Sequence, residues 1–510
     1  MAQNFPRRLV YMKKTVRLIY RISLIVICLC ALAFPGFAAN EGTIGSNISW
    51  HYDSGCLTLS GTGAMDNFNI GAEKPWHSYR GAITSIVIEA GITSIGNNAF
   101  TELSGLESVT LPDTLMHIGN NAFKDCKKLQ NITIPDRVIQ IYPFAFQGCS
   151  SLSNLVLPKS VTYIGEYAFA DCSSLVSVTL PEKLRMINPY TFQNCSMLME
   201  VTIPEKVSDI GDYAFYGCRN MISLTLPENL STIGEFAFAE CKNLYSLTLP
   251  DSLTAIRSCA FAGCSSLDSL TLPDSITEIG DAFRNCTGLT SVTFSPYTTH
   301  IDHNAFAGCD RIRSITLPDS LEELGGNTFG TGLKEIHISN ISVWCSILFS
   351  GGSTPLSKGA SLYVDGTLVT DLVIPDGCKR IPDMAFRGYS LLQSVKLPEG
   401  LTEIGVLSFA DCVNLTTITL PASLGSISPN AFQNCDNLET VYYNGTPAQR
   451  AQVRVYEGNT AINHMVWTMS PEQIFHMSLP LLIIWVVGYV GVHVAAILVC
   501  FHLERKRRKI

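Results

Sequence analysis

Charge is scarce in this chain. Asp, Glu, Lys and Arg make up 15% of its 510 residues, against 46% hydrophobic ones. That balance excludes a disordered polymer, because the apolar content is enough to drive burial. The charge is also unevenly placed. Residues 1–38 hold six basic residues and no acid, Glu504–Lys509 hold five basic and one acidic, and the span between carries 24 basic against 42 acidic residues. An acidic body repels phosphate and argues against nucleic acid as a partner. Catalytic signatures are missing too. No G-x-S-x-G, H-E-x-x-H, Walker loop or dinucleotide-binding fingerprint occurs, and no Cys-x-x-Cys pair supplies metal ligands. The stretch "HIDH" (His300–His303) could offer two imidazoles and a carboxylate. It falls in an irregular segment where helical spacing is not assured, so it reads as a loop substitution. Nothing calls for a cofactor, a resident metal or an enzymatic role.

The two ends carry membrane signals. Arg17–Ala38, "RLIYRISLIVICLCALAFPGFA", has a basic flank, an apolar run and small residues at its end. It fits a secretory signal over residues 1–38, cleaved after Ala38, with translation from Met12 or retention as an anchor as alternatives. Leu479–Phe501 is a 23-residue stretch with no formal charge apart from a possible one on His493, long enough to span a bilayer. The basic run that follows, within residues 502–510, would stay on the cytoplasmic side. The helix opens "SLPLL", without the Leu-Pro-x-Thr-Gly of wall-anchoring signals. The expectation is a single-pass membrane protein whose body lies outside the cell.

Between the ends the chain repeats. Phe100, Phe123, Phe146, Phe169, Phe192, Phe215, Phe238 and Phe261 are each 23 residues apart, Phe283 follows after 22, and Phe306, Phe329, Phe386, Phe409 and Phe432 continue the series. The unit is approximately A-F-x-x-C-x-x-L-x-x-V-T-L-P-[DE]-x-L-x-x-I-G-x-x. A fixed period in the twenties with leucines at fixed offsets predicts a leucine-rich repeat solenoid, with a parallel β-sheet on one face built from 23-residue coils. Within "AFAGCSSLDSLTLPDSITEIG" (Ala260–Gly280), Leu267, Leu270 and Leu272 bracket a short strand, Pro273 ends it, Ile276 and Ile279 turn inward, and Gly280 permits a turn.

"IGEYAFADCSSL" (Ile164–Leu175), "IGDYAFYGCRNM" (Ile210–Met221) and "IGEFAFAECKNL" (Ile233–Leu244) resemble the BspA-like class of leucine-rich repeats. The resemblance implies a small β-rich cap (39–82), repeats (83–342), an insert (343–371), further repeats (372–443) and a closing segment with linker (444–478). It also implies an exported or surface-bound protein that binds extracellular protein or glycan, with adhesion to host matrix or to other cells as the expected role. A structural envelope protein without a specific ligand is the alternative.

Eleven of the 18 cysteines sit three residues after a repeat Phe. Buried thiol packing is the simplest reading; disulfides between adjacent coils, or a metal, remain open. Cys56, Cys345 and Cys378 lie outside this ladder and are better placed to react or pair. Three surface columns also emerge. Ser and Thr on outward strand positions form a sheet of hydroxyls. One residue before the Ser column, Val176, Met199, Ile222 and Tyr245 would form an apolar stripe and are the candidate binding residues. After the repeat proline, Glu182, Glu205, Glu228, Asp251 and Asp274 line up as an acidic edge, either a solvated turn or a site for Ca²⁺ or a basic partner.

Overall fold

The computed structural model describes residues 39–463 and 467–469. The expected signal (1–38), membrane helix (479–501) and basic tail (502–510) lie outside the described residues. The described chain is a leucine-rich repeat solenoid of short parallel strands.

One coil shows why the sequence folds this way. The strand Ser269–Thr271 alternates exposed, buried, exposed, so Leu270 enters the core while Ser269 and Thr271 face outward. Pro273, which has no N–H to donate, closes the strand. The chain then turns through the buried Ile276 to a second strand, Glu278–Ile279. Phe283 completes the coil with its ring fully buried. Each coil hydrogen-bonds the next in register, as in Asn154↔Ser177, Leu155↔Val178 and Val156↔Thr179. The phenylalanine rings form one column, stacked 5.2 to 5.9 Å apart from Phe100 to Phe329. No coil can bury its own edges, so this neighbour-on-neighbour packing is the core.

Two features differ from the sequence expectation. The coils carry two parallel ladders, a front one from the Ser-x-Thr strands and a rear one from the strands ending in the repeat Ile. The sequence signals only the first, because a two-residue rear strand has no alternation to detect. Second, the repeat glycine does not serve a left-handed turn. A Cβ on Gly165 would lie 2.3 Å from the Pro143 nitrogen, and one on Gly211 would lie 2.6 Å from the Pro189 nitrogen. Glycine is there because the preceding coil passes too close. The left-handed residues come later, at Tyr167 (φ 56°) and Asp171 (φ 60°) and at equivalent positions along the array. The coil "IGDAF" (Ile279–Phe283) is short because it omits the first of these left-handed residues. There a Cβ on Gly280 would meet nothing within 4 Å, although the preceding coil still touches the corner through Cys259 Sγ, 3.3 Å from Asp281 Oδ2.

The ends are closed differently. At the start, Glu41–Ile44, Ile48–Asp53 and Cys56–Gly61 run antiparallel, and the third then pairs in parallel with Ser85–Ile88. These strands and the first coils therefore share one ten-stranded sheet. Trp76, fully buried, stacks 5.5 Å from Phe100 and tops the ring column. At the other end, the fully buried Asn459 replaces a missing coil. Its Oδ1 accepts from Phe432 N–H at 2.9 Å, a bond that elsewhere goes to the alanine carbonyl of the next coil, as in Phe409 N–H to Ala431 O.

Candidate functional site

All eleven ladder cysteines make the same contact. The thiol donates to the carbonyl of the preceding coil's Phe, as in Cys149 to Phe123 (3.2 Å), Cys264 to Phe238 (3.3 Å) and Cys435 to Phe409 (3.1 Å). Burial raises the Cys149, Cys264 and Cys435 thiols from the ordinary 9.0 to about 12. These three thiols are held protonated, and all eleven are buried, which suits them to packing rather than to nucleophilic attack. Tyr389 stands where the ladder would place a cysteine, just after the insert. Its hydroxyl donates to Val369 O at 2.6 Å and accepts from Leu362 N–H at 3.3 Å. Gly332, the other departure, is small because a Cβ would lie 1.9 Å from Asp310 O.

The histidines of "HIDH" have structural surroundings. His300 lies in the rear ladder between Glu278 and Glu323, with Nδ1 2.9 Å from Thr299 Oγ1. His303 sits in the following corner, so close under Gly351 that a Cβ there would come within 2.3 Å of its Nε2.

The apolar stripe is brought together. Met199 N–H donates to Val176 O (3.1 Å), Ile222 N–H to Met199 O (2.8 Å) and Tyr245 N–H to Ile222 O (3.4 Å). Each of the four therefore lies directly over the previous one. Met199, Ile222 and Tyr245 are 42%, 48% and 61% exposed, whereas Val176 is half-buried. The stripe is bounded by Ser153, whose carbonyl takes the Val176 N–H, and by Asp268, whose N–H donates to Tyr245 O.

Beside the stripe the front ladder opens. The ten-stranded sheet ends at Ser223–Thr225, and the next front strand is Ser269–Thr271. Among the described residues, the amides of Ser246, Leu247, Thr248 and Leu249 have no backbone partner. Here lies a cleft of about 430 Å³, lined by Leu224, Thr225, Leu226, Glu228, Thr248, Leu249, Pro250 and Asp251. Two members of the acidic edge, Glu228 and Asp251, thus flank a cleft, while Glu182, Glu205 and Asp274 are exposed on other coils, Asp274 accepting from Ser295 Oγ at 3.2 Å. Among the described residues, no three His, Cys, Asp or Glu side chains gather as a metal-binding group.

A second surface was not anticipated. Phe144, Tyr167, Tyr190, Tyr213 and Phe236 occupy the left-handed corner of five consecutive coils. Their rings stack 4.3 to 4.9 Å apart, with planes 5° to 15° from parallel and edges partly open to solvent. Burial first, and then the neighbouring Tyr190, push the Tyr167 and Tyr213 phenols above their usual range. The signal was present as five aromatics two residues before the repeat Phe. It is easily passed over because corners are not expected to carry ordered columns.

The family model described as the BspA type leucine rich repeat region, in six copies, matches residues 76–199, 187–282, 269–358 and 359–474. Among solved structures, a leucine-rich repeat protein from Bacteroides ovatus is 21% identical, with 78% of this chain and 99% of that one covered and a TM-score of 0.48. A leucine rich cell surface protein from Faecalibacterium prausnitzii is 22% identical, covering 81% and 97% with a TM-score of 0.34. The pneumococcal vaccine antigen PcpA is 16% identical, covering 82% and 99% with a TM-score of 0.38. No curated protein sequence matches the chain.

Proposed function

The chain belongs to the BspA-type leucine-rich repeat family, and from that premise we propose that it is a surface-displayed binding protein. Its body would face outward from a membrane spanned by the apolar stretch Leu479–Phe501. Its front face would take an extracellular protein or glycan, with adhesion as the outcome. The observation that carries this reading is the apolar stripe Met199–Ile222–Tyr245 beside the opened ladder. A ligand lying along the strands would bury Met, Ile and Tyr side chains at one end. It would meet the hydroxyls of Thr225 and Thr248 and the free amides of Ser246–Leu249 in the middle, and the Glu228 and Asp251 carboxylates beyond. Exposed aromatic and Met side chains beside unsatisfied hydrogen-bonding groups have the makeup of a recognition surface. Catalysis has no comparable support.

The test is a double substitution, Met199→Ala with Tyr245→Ala, assayed by attachment of protein-bearing cells to candidate matrices and by melting of the purified protein. Binding is expected to fall at least tenfold with an unchanged melting midpoint, since both side chains are largely exposed. Undiminished attachment would remove the front face from the function and favour the structural envelope role.

A further inference from the structure

Where the N-terminal cap meets the first coils lies a cavity of about 130 Å³, apart from the front cleft. At roughly 30 Å³ per water it has room for about four of them, which suits the charged end of a larger molecule rather than a whole ligand. Part of its wall is apolar: Trp76, Ala99 and Leu103 are fully buried. Three nitrogen-bearing residues, Lys74, His77 and Arg80, line it as well.

The sequence sets these three in line. In "KPWHSYR" (Lys74–Arg80) they recur at every third position. His77 N–H donates to Lys74 O at 2.8 Å, Tyr79 N–H to Trp76 O at 2.9 Å and Arg80 N–H to His77 O at 3.1 Å. The segment is a 3₁₀ ridge around the helical turn His77–Tyr79, and residues three apart eclipse one another on such a ridge. A different side of the ridge is pinned to the cap. Trp76 stacks on Phe100 at 5.5 Å and meets Trp50 and Phe68 edge-on at 6.2 and 5.7 Å, while Tyr79 stacks on Tyr52 at 4.1 Å. The backbone that carries the three residues is therefore fixed, and they remain half-buried or exposed.

Their charge is uncompensated. Among the described residues, none of the three side chains makes an ion pair or a hydrogen bond. Arg380 and Arg387, by contrast, are met by Glu403 and Asp411. Glu102 is the one carboxylate among the lining residues, so Lys74 and Arg80 leave the cavity net positive. This is a local reversal in a body with 24 basic against 42 acidic residues. A recess of one sign with apolar walls concentrates the opposite ion.

We infer that this cavity is a binding site for a tetrahedral oxyanion, the sulfate or phosphate ester of a sugar. Three donor residues in a row match the three terminal oxygens of such a group, and the ester oxygen points out through the mouth. The Arg80 guanidinium offers a planar fork, the Lys74 ammonium a point charge and the His77 imidazole a ring N–H. Ile70, 86% exposed at the rim, meets the C–H face of the sugar. A single ester fits this small positive recess, whereas a long polyanion would run onto the acidic body. The site goes beyond the front-face reading and stands whether or not the stripe binds.

The experiment is isothermal titration calorimetry of the purified full chain in a low-salt buffer free of sulfate and phosphate. The probes are glucosamine 6-sulfate, glucose 6-phosphate and plain glucose. One-to-one binding of an ester is expected, with none for glucose, and it should weaken as sodium chloride is added. The tighter of the two esters identifies the group the site takes. Lys74→Gln with Arg80→Gln is expected to weaken binding by about tenfold or more. Glu102→Gln, which removes the opposing carboxylate, is expected to strengthen it by about threefold. The melting midpoint should stay unchanged in each variant. No saturable binding of either ester at millimolar concentration would overturn the inference. So would an affinity that the Lys74→Gln, Arg80→Gln variant leaves intact, or glucose binding as tightly as the esters.

Discussion

Tyr190 condenses the logic of single positions in this chain. Its backbone is left-handed (φ 59°), a conformation that costs a bulky residue about 1–2 kcal/mol. Its ring is sandwiched between Tyr167 at 4.3 Å and Tyr213 at 4.9 Å. Elsewhere the same corner is filled by Asn98, Asn121, Asn304, Asn327 or Asn430, the residue type that tolerates this region best. Tyr190→Asn should therefore lose roughly 0.5–1.5 kcal/mol of stacking and recover a similar amount of strain. The expected change in unfolding free energy by denaturant titration is within about 1 kcal/mol of zero. A loss of several kcal/mol would show that the aromatic column is part of the scaffold. This position was legible as a column of aromatics but not as a strained corner, because a turn type depends on dihedrals that composition does not reveal.

At the level of elements, the sequence announces strands through alternation and ends through proline. It does not announce how a coil is terminated when no further coil follows. Asn459 is an isolated polar residue in a segment with no repeat signature, yet it is fully buried. It accepts from Phe432 and donates to Ser428 O and Tyr456 O, each at 2.9 Å. Asn459→Ala would leave the Phe432 amide and the Tyr456 carbonyl without their partners, and Ser428 O with only the Ala431 N–H at 3.3 Å, a cost of about 2–4 kcal/mol. Amide exchange should accelerate first in the last coils, Thr417–Leu420 and Thr440–Tyr443, while Ser108–Thr110 keeps its protection. Uniform exchange along the chain would contradict a closing role for this side chain. The insert is similar: its residues read as an interruption, but Leu348–Phe349 and Ser361–Val364 extend the rear and front ladders by one more step.

For the whole molecule, the recurrence of one contact has a collective effect on pH dependence. Burial holds Cys149, Cys264 and Cys435 protonated up to about 12, whereas in the unfolded chain thiols ionise near 9.0. Groups raised on folding contribute stability that is complete below 9.0 and is lost as the pH climbs toward about 12. The solenoid is expected to keep a constant melting midpoint from neutral pH to about 9 and to lose stability steeply and cooperatively above it. A midpoint that stays flat to pH 11 would show that the thiols do not stay buried. The period, the core and the cysteine register were legible because eleven copies average out local noise. The front cleft was not, because it arises where neighbouring backbones part, and side-chain identity scarcely records that.

The cysteine contact also has a direction. Every ladder thiol reaches back to the Phe carbonyl of the coil before it, and none reaches forward. A coil deleted from the far end takes its donor with it and strands no other thiol. A coil deleted from the near end leaves a buried S–H with nothing to accept it. The order in which a ribosome delivers the chain is the order in which each acceptor is already waiting. Lineages that lengthen or shorten such an array have a chemically favoured end at which to do so.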